Sequence, residues 1–315
     1  MASGVVKETL GMVPAHAGAV TDTPAAQPKK QHVVSRVVLK EWTVGGRLRE
    51  LNIAWPGARW RWSTPAGSGY VPRFVRVDAA KVEARWKKVE DRLPAALAEL
   101  RQGGPVRPGT ETEDAVIACL AMHWARSKAV RDTSDRIYAE QRRLSMDRLA
   151  QLPGALDWAH FAATGVHAAG PEARRLANER LHTGPPEIVS GARFAERVID
   201  FYEEALDWYG RQHLQIYDIP ADAPDLIVSD APVLTPASAG TGLSPLSGVP
   251  LRKASSVAMP LGPRLAVSLN PVPERVTVTR EHAEELNAMQ CRAAAEFLYR
   301  RPTADDGPAL GPGPR

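Results

Sequence analysis

The chain has 315 residues, of which 44% are hydrophobic and 24% charged, enough apolar material to bury a sizeable core. No run of about eighteen apolar residues occurs, which excludes a membrane-spanning helix, and Lys7 and Glu8 interrupt any apolar leader, arguing against a secretory signal. A net charge of +4 sets 40 basic residues against 36 acidic ones, a mild excess that does not indicate nucleic acid as a partner.

Residues 1–30 are poor in bulky apolar side chains and rich in Ala and Pro, which predicts a disordered lead-in; the tail 302–315 has the same character. Between them we expect one α+β domain over 31–301. Its first stretch, QHVVSRVVLKEW (31–42), reads two ways: Val34, Val38 and Trp42 recur every four residues as in a helix capped by Ser35, while four valines favour a strand. Strands are expected in RLRELNIAWPG and RWRWS. The clearest helix spans 78–100, with Val82, Trp86, Val89, Leu93, Leu97 and Leu100 on one face and Asp78 as its cap. A capping box, Thr110 and Glu113, opens the next helix, whose pattern persists towards Leu149 until LPGALDW breaks it. Shorter helices are predicted near 171–181 and over about 190–211.

After residue 211 the texture changes. QIYDI, DLIVSD, SSVAMPL, RLAVSLN and RVTV are short, β-branched and bounded by Pro or Asp, as strands are. The Ser/Pro/Gly-rich segment 235–248 is a loop, and 279–300 a closing helix with Thr279 as cap and Phe297 inward. The expected architecture is therefore α+β, with N- and C-terminal strands in one sheet packed against a central helical region, because short strands need partners for their backbone groups. Cys119 and Cys291 both sit in helical stretches and read as buried thiols of a reducing, cytoplasmic compartment.

No strong catalytic signature is present, and no short-spaced histidine pair suggests a metal site; neither cofactor nor metal is assigned. Asp230, at the end of DLIVSDAPV, is placed to hold a carboxylate at a sheet rim, or simply to cap a turn before Pro232. Arg126, two positions after Trp124, offers an anion clamp or is a solvated helix arginine. Glu83 and Glu90 are two helical turns apart, roughly 10 Å, too far to share one proton. The plainer reading for them is a salt-bridged face with Arg85, Lys87 and Lys88. Trp60 and Trp62 would share one strand face and Arg59 and Arg61 the other, a surface for base stacking or, more plainly, for packing.

Four local patterns, in this order, resemble the bacterial family called domain of unknown function 4238. They are the histidine-led stretch from His32 to Trp42, the helix with Glu83 and Glu90, the Arg126-Ser127-Lys128 element, and the strand Val228-Ser229-Asp230-Ala231-Pro232-Val233. The sequence departs from the family pattern at Ser35, Lys128 and Ala231. The resemblance supplies no activity, but it singles out His32, Arg126, Ser229 and Asp230.

Two functions follow as expectations. One is an enzyme, hydrolase or nuclease-like, on a phosphate-containing substrate: His32 as base or metal ligand, Asp230 its orienter or a metal ligand, Arg126 the anion clamp. The other is a non-catalytic module binding protein or nucleic acid through Trp60 and Trp62, with His32 and Asp230 structural.

Overall fold

The computed structural model describes residues 30–306, apart from 76–77, 105–106, 153, 168–169, 172–173, 177–178, 180–185 and 237–250. The expected lead-in, the centre of the 235–248 loop and most of the 171–181 helix fall outside the described residues. No helix among the described residues is long and apolar enough to cross a membrane.

The stretch that reads as helix or strand is both in turn. Strand β1 (Lys30–His32) pairs antiparallel with β4 (Tyr70–Pro72), setting His32 opposite Tyr70. Helix α1 (Arg36–Lys40) follows at once, its N-terminus capped where the Ser35 hydroxyl accepts the Val37 amide. Val34, Val38 and Trp42 are all buried, and the Trp42 indole N–H donates to the Leu226 carbonyl at 2.7 Å. Gly69 packs under this corner. Its carbonyl accepts the amides of Val33 and Val34, and its own amide donates to the Tyr299 hydroxyl.

Strands from both ends of the chain share one sheet, as expected. β2 (Leu48–Asn52) lies between β3 (Arg61–Ser63) and β10 (Phe297–Arg300), and β6 (Val228–Ser229) pairs with the other edge of β10. The remaining C-terminal strands do not join it. β7 (Ala258–Gly262), β8 (Leu265–Asn270), β5 (His213–Asp218) and β9 (Glu274–Thr277) form a second sheet in that order, so the single expected sheet is in fact two, besides the β1–β4 ribbon.

The closing helix is also shorter than expected. α8 (Arg280–Ala293) starts where the Thr279 hydroxyl accepts the His282 amide, but Phe297 belongs to β10. The run Phe-Leu-Tyr-Arg favours a strand, and between β2 and β6 both its edges are hydrogen-bonded. The tail does not become loose at 302: the Asp306 carboxylate takes the guanidinium groups of Arg49 and Arg300.

The 78–100 helix is broken into α2 (Ala79–Glu90) and α3 (Leu93–Arg101). Pro94 explains the break, since it lacks an N–H and is tolerated only in the first turn of a helix. Asp78 stands at the N-terminus of α2 but makes no side-chain cap bond. α4 (Glu111–Ala125) does begin at Thr110, whose hydroxyl accepts the Glu113 amide; the Glu113 carboxylate reaches the Gly109 amide instead of the cap residue's own. The helical run towards Leu149 is interrupted at Arg126-Ser127 before α5 (Lys128–Gln151), followed by α6 (Ala155–Thr164) and α7 (Pro186–Tyr209).

α4 is the centre of the molecule. Residues 115–125 are all buried, and α2, α3 and α7 pack around it. Cys119, on α4, is a buried free thiol as expected; Cys291 is exposed, because α8 covers the sheet with one face only.

Candidate functional site

The C-terminal end of α4 carries a set of buried polar groups. Arg126 closes the helix, its amide bonded to the Met122 carbonyl at 3.0 Å, and its side chain is 2% exposed. One guanidinium nitrogen, Nη1, donates to Glu90 Oε1 at 3.1 Å, and Nη2 donates to His123 Nε2 at 3.1 Å. The same Nε2 accepts the Ser35 amide at 3.0 Å, while Nδ1 donates to the Cys119 carbonyl at 2.8 Å. Those bonds place the proton on Nδ1. Burial, and then the Arg126 charge, hold His123 well below the usual histidine range. The Cys119 thiol lies 3.3 Å from Nδ1, but burial pushes it up to about 12, so it forms no thiolate nucleophile.

His32 stands beside this set. Burial lowers its basicity first, then the positive charges of Arg126 and Arg36; Glu90 and a hydrogen bond to the Pro65 carbonyl act the other way. Among the described residues its Nε2 is buried without a hydrogen-bond partner. Arg126 Nε is likewise buried without a partner among the described residues. Glu83 completes the group. Burial raises its carboxyl above the usual range, Arg126 opposes the rise, and Glu90 adds to it.

The two glutamates are thus not a surface ion-pair ladder. Lys87 is held by Asp91 and Arg85 by Glu203, which leaves Glu83 and Glu90 facing Arg126. Arg126 itself is buried, not solvated, because the helix ends there and the guanidinium turns in.

Ser229 and Asp230 do different work. The Ser229 hydroxyl and amide both donate to Gln290 Oε1, at 2.7 and 2.9 Å, which ties β6 to α8. The Asp230 carboxylate accepts the amides of Ala295, Glu296 and Phe297 at 2.8, 2.8 and 3.2 Å. These amides lie beyond the last helical bond of α8, from Ala294 to the Gln290 carbonyl, and so need partners of their own. Burial pushes Asp230 up to about 6 in spite of them. It lines a pocket of about 330 Å³ with Glu50, Lys128, Glu296 and Tyr299. No hydrogen bond joins His32 to Asp230 among the described residues.

Trp60 and Trp62 are half-buried, and each is covered by the chain's own arginines. Arg300 lies 4.8 Å over Trp60, and Arg49 and Arg47 lie 4.9 and 5.7 Å over Trp62. Among the described residues no three His, Cys, Asp or Glu side chains converge to hold a metal ion.

The family model described as a protein of unknown function, DUF4238, matches residues 30–304. The chain belongs to DUF4238. No curated protein and no solved structure matches it. In this DUF4238 member, three of the four patterns that carried the resemblance meet: His32, the Glu83–Glu90 pair and Arg126 share one electrostatic neighbourhood. The fourth, Ser229-Asp230, fastens the turn between α8 and β10. His123 escaped the sequence reading, although Cys119, His123 and Arg126 at steps of four and three mark one face of α4.

Proposed function

We propose that this DUF4238 chain is a hydrolase, nuclease-like in its chemistry, that acts on a phosphate-containing substrate with His32 as general base. One observation carries the reading: among the described residues His32 Nε2 is buried without a hydrogen-bond partner, beside the charges of Arg126, Arg36 and Glu90. A buried polar atom with no partner is costly unless something binds it. With its basicity lowered, the imidazole is neutral at neutral pH, and Nε2 is placed to present a lone pair.

In the reaction, Nε2 takes a proton from water as the water oxygen attacks phosphorus. The bond to the leaving oxygen breaks, and the imidazolium returns its proton to that oxygen. Arg36 is exposed and carries no ion pair among the described residues, so it is suited to the phosphate charge. Arg126 is a positioning residue here, since Glu90 and His123 occupy two of its nitrogens. Asp230 keeps a structural role, as the non-catalytic reading expected. That reading's other support, an open tryptophan face, is weakened by the arginines over Trp60 and Trp62.

The test is hydrolysis of bis(p-nitrophenyl) phosphate and p-nitrophenyl phosphate by the full chain. Rate should rise with pH through an inflection below 6.5 and then level, because the neutral imidazole is the active form. His32→Gln should lower it about 100-fold with an unchanged melting temperature. No turnover by the unmodified chain, or equal turnover by His32→Gln, overturns the reading.

A further inference from the structure

At the opposite end of α4 the chain builds another constellation. A pocket of about 540 Å³ is walled by Arg85 and Lys88 of α2, Arg92, Glu113 of α4, Tyr202 of α7 and His213 at the start of β5. The Glu113 side chain is 5% exposed, and donors occupy it: Oε2 accepts the Gly109 amide at 2.7 Å, while Oε1 accepts His213 Nδ1 and the Leu214 amide, both at 3.3 Å. The carboxylate thereby fixes the orientation of the His213 ring, leaving Nε2 without a partner among the described residues.

The cations around that ring are largely uncommitted. Lys88 is exposed and makes no hydrogen bond or ion pair among the described residues. Arg92 makes one long bond, 3.5 Å, to the Glu111 carbonyl. Arg85 pairs with Glu203 and lies 5.4 Å over the Tyr202 ring. Asp114 is the other carboxylate in the wall, and it is exposed. Two available cations and one oriented imidazole in a single concavity match a compact, multiply charged anion better than a cation or an apolar group.

We infer that this pocket is a second site, for a phosphate group, with Lys88 and Arg92 neutralising the anion and the Glu113-held His213 accepting a hydrogen bond at Nε2 from its P–OH. The site is independent of His32: Glu113 and Arg126 stand at opposite ends of α4, about 20 Å apart at the helical rise. Nothing in the hydrolase reading requires it.

The test is calorimetric titration of the full chain with inorganic phosphate. The unmodified chain should show saturable binding, including a component that the double variant Lys88→Ala/Arg92→Ala weakens at least 10-fold and that Arg36→Ala leaves intact. His213→Gln should weaken the same component several-fold. Lys88→Glu, a reversal at an exposed position, should abolish it without changing the melting temperature and stands in if the double variant fails to fold. Absence of saturable binding, or binding lost in Arg36→Ala and kept in the Lys88 variants, overturns the inference. Loss of phosphatase activity in His32→Gln leaves this component in place, so the two proposals fail separately.

Discussion

His123 shows how one side chain can organise distant parts of the chain. It accepts from Ser35 in the N-terminal corner and from Arg126 at the helix end, and both bonds require Nε2 to carry a lone pair. Its folded-state basicity lies well below the ordinary 6.5, so between those values the unfolded chain binds a proton that the folded chain does not. Stability from this group is therefore complete above pH 6.5 and is lost as pH falls, by about 1.4 kcal/mol per unit once the unfolded histidine is protonated. Asp230 acts in the opposite sense. Its carboxyl is pushed from 3.8 up to about 6, so its contribution is present below 3.8 and lost as pH rises through 6. The His123 share is isolated by His123→Gln, whose amide can still donate and accept but does not titrate. The denaturation free energy of that variant should fall less steeply between pH 6.5 and 5 than that of the unmodified chain; equal slopes would show that His123 is not the group responsible. At this scale the sequence was only half legible. His32, Glu83, Glu90 and Arg126 stood out as polar residues, but burial of Arg126 depends on Glu90, 36 residues earlier, and no local pattern announces that. Nor does the spacing of histidines along the chain point to His123, since its partners are backbone groups and an arginine.

Among the elements, the corner formed by β1, α1 and β4 is held together at Gly69. Its φ is +68°, and a Cβ there would stand 2.8 Å from Leu39 Cδ1 and 3.1 Å from the Val34 carbonyl oxygen. The Leu39 methyl is able to move, but the backbone oxygen is not, and the left-handed conformation itself disfavours a side chain. Gly69→Ala should cost about 2 kcal/mol or more, read as a lowered denaturation midpoint, and because the corner also carries His32 it should reduce any phosphatase activity. A midpoint within error of the unmodified chain would mean that this corner does not need its glycine. Boundaries were the harder part to read. Pro94 was visible, yet the regular apolar spacing across it concealed the break between α2 and α3. Phe297 continued the spacing of the closing helix and so disguised the start of β10. In both places local periodicity agreed with a helix, while proline chemistry or strand pairing decided otherwise.

Across the whole molecule, the union of N- and C-terminal strands was legible because short strands at both ends lacked partners nearby. The division into two sheets was not, since pairing between strands far apart in the chain leaves no mark on local pattern. β10 is the strand on which the first sheet turns, paired with β2 on one side and β6 on the other. A chain ended at residue 296 should therefore lose that sheet, together with one of the three amides that Asp230 accepts, that of Phe297. Calorimetry should show no cooperative unfolding transition for it; a normal transition would mean that the helical centre is stable without the sheet.

The placement of β10 also bears on how the protein is made. Gly69 and Tyr299, which are hydrogen-bonded, lie 230 residues apart. On a ribosome, β2 emerges long before the strand it pairs with, and its open edge must wait until the distant residues of β10 have been synthesised. Contacts of such long range slow folding, and an unpaired edge invites association with other chains in the meantime. The yield of native protein should consequently depend on the cell's chaperones far more than the stability of the finished fold would suggest.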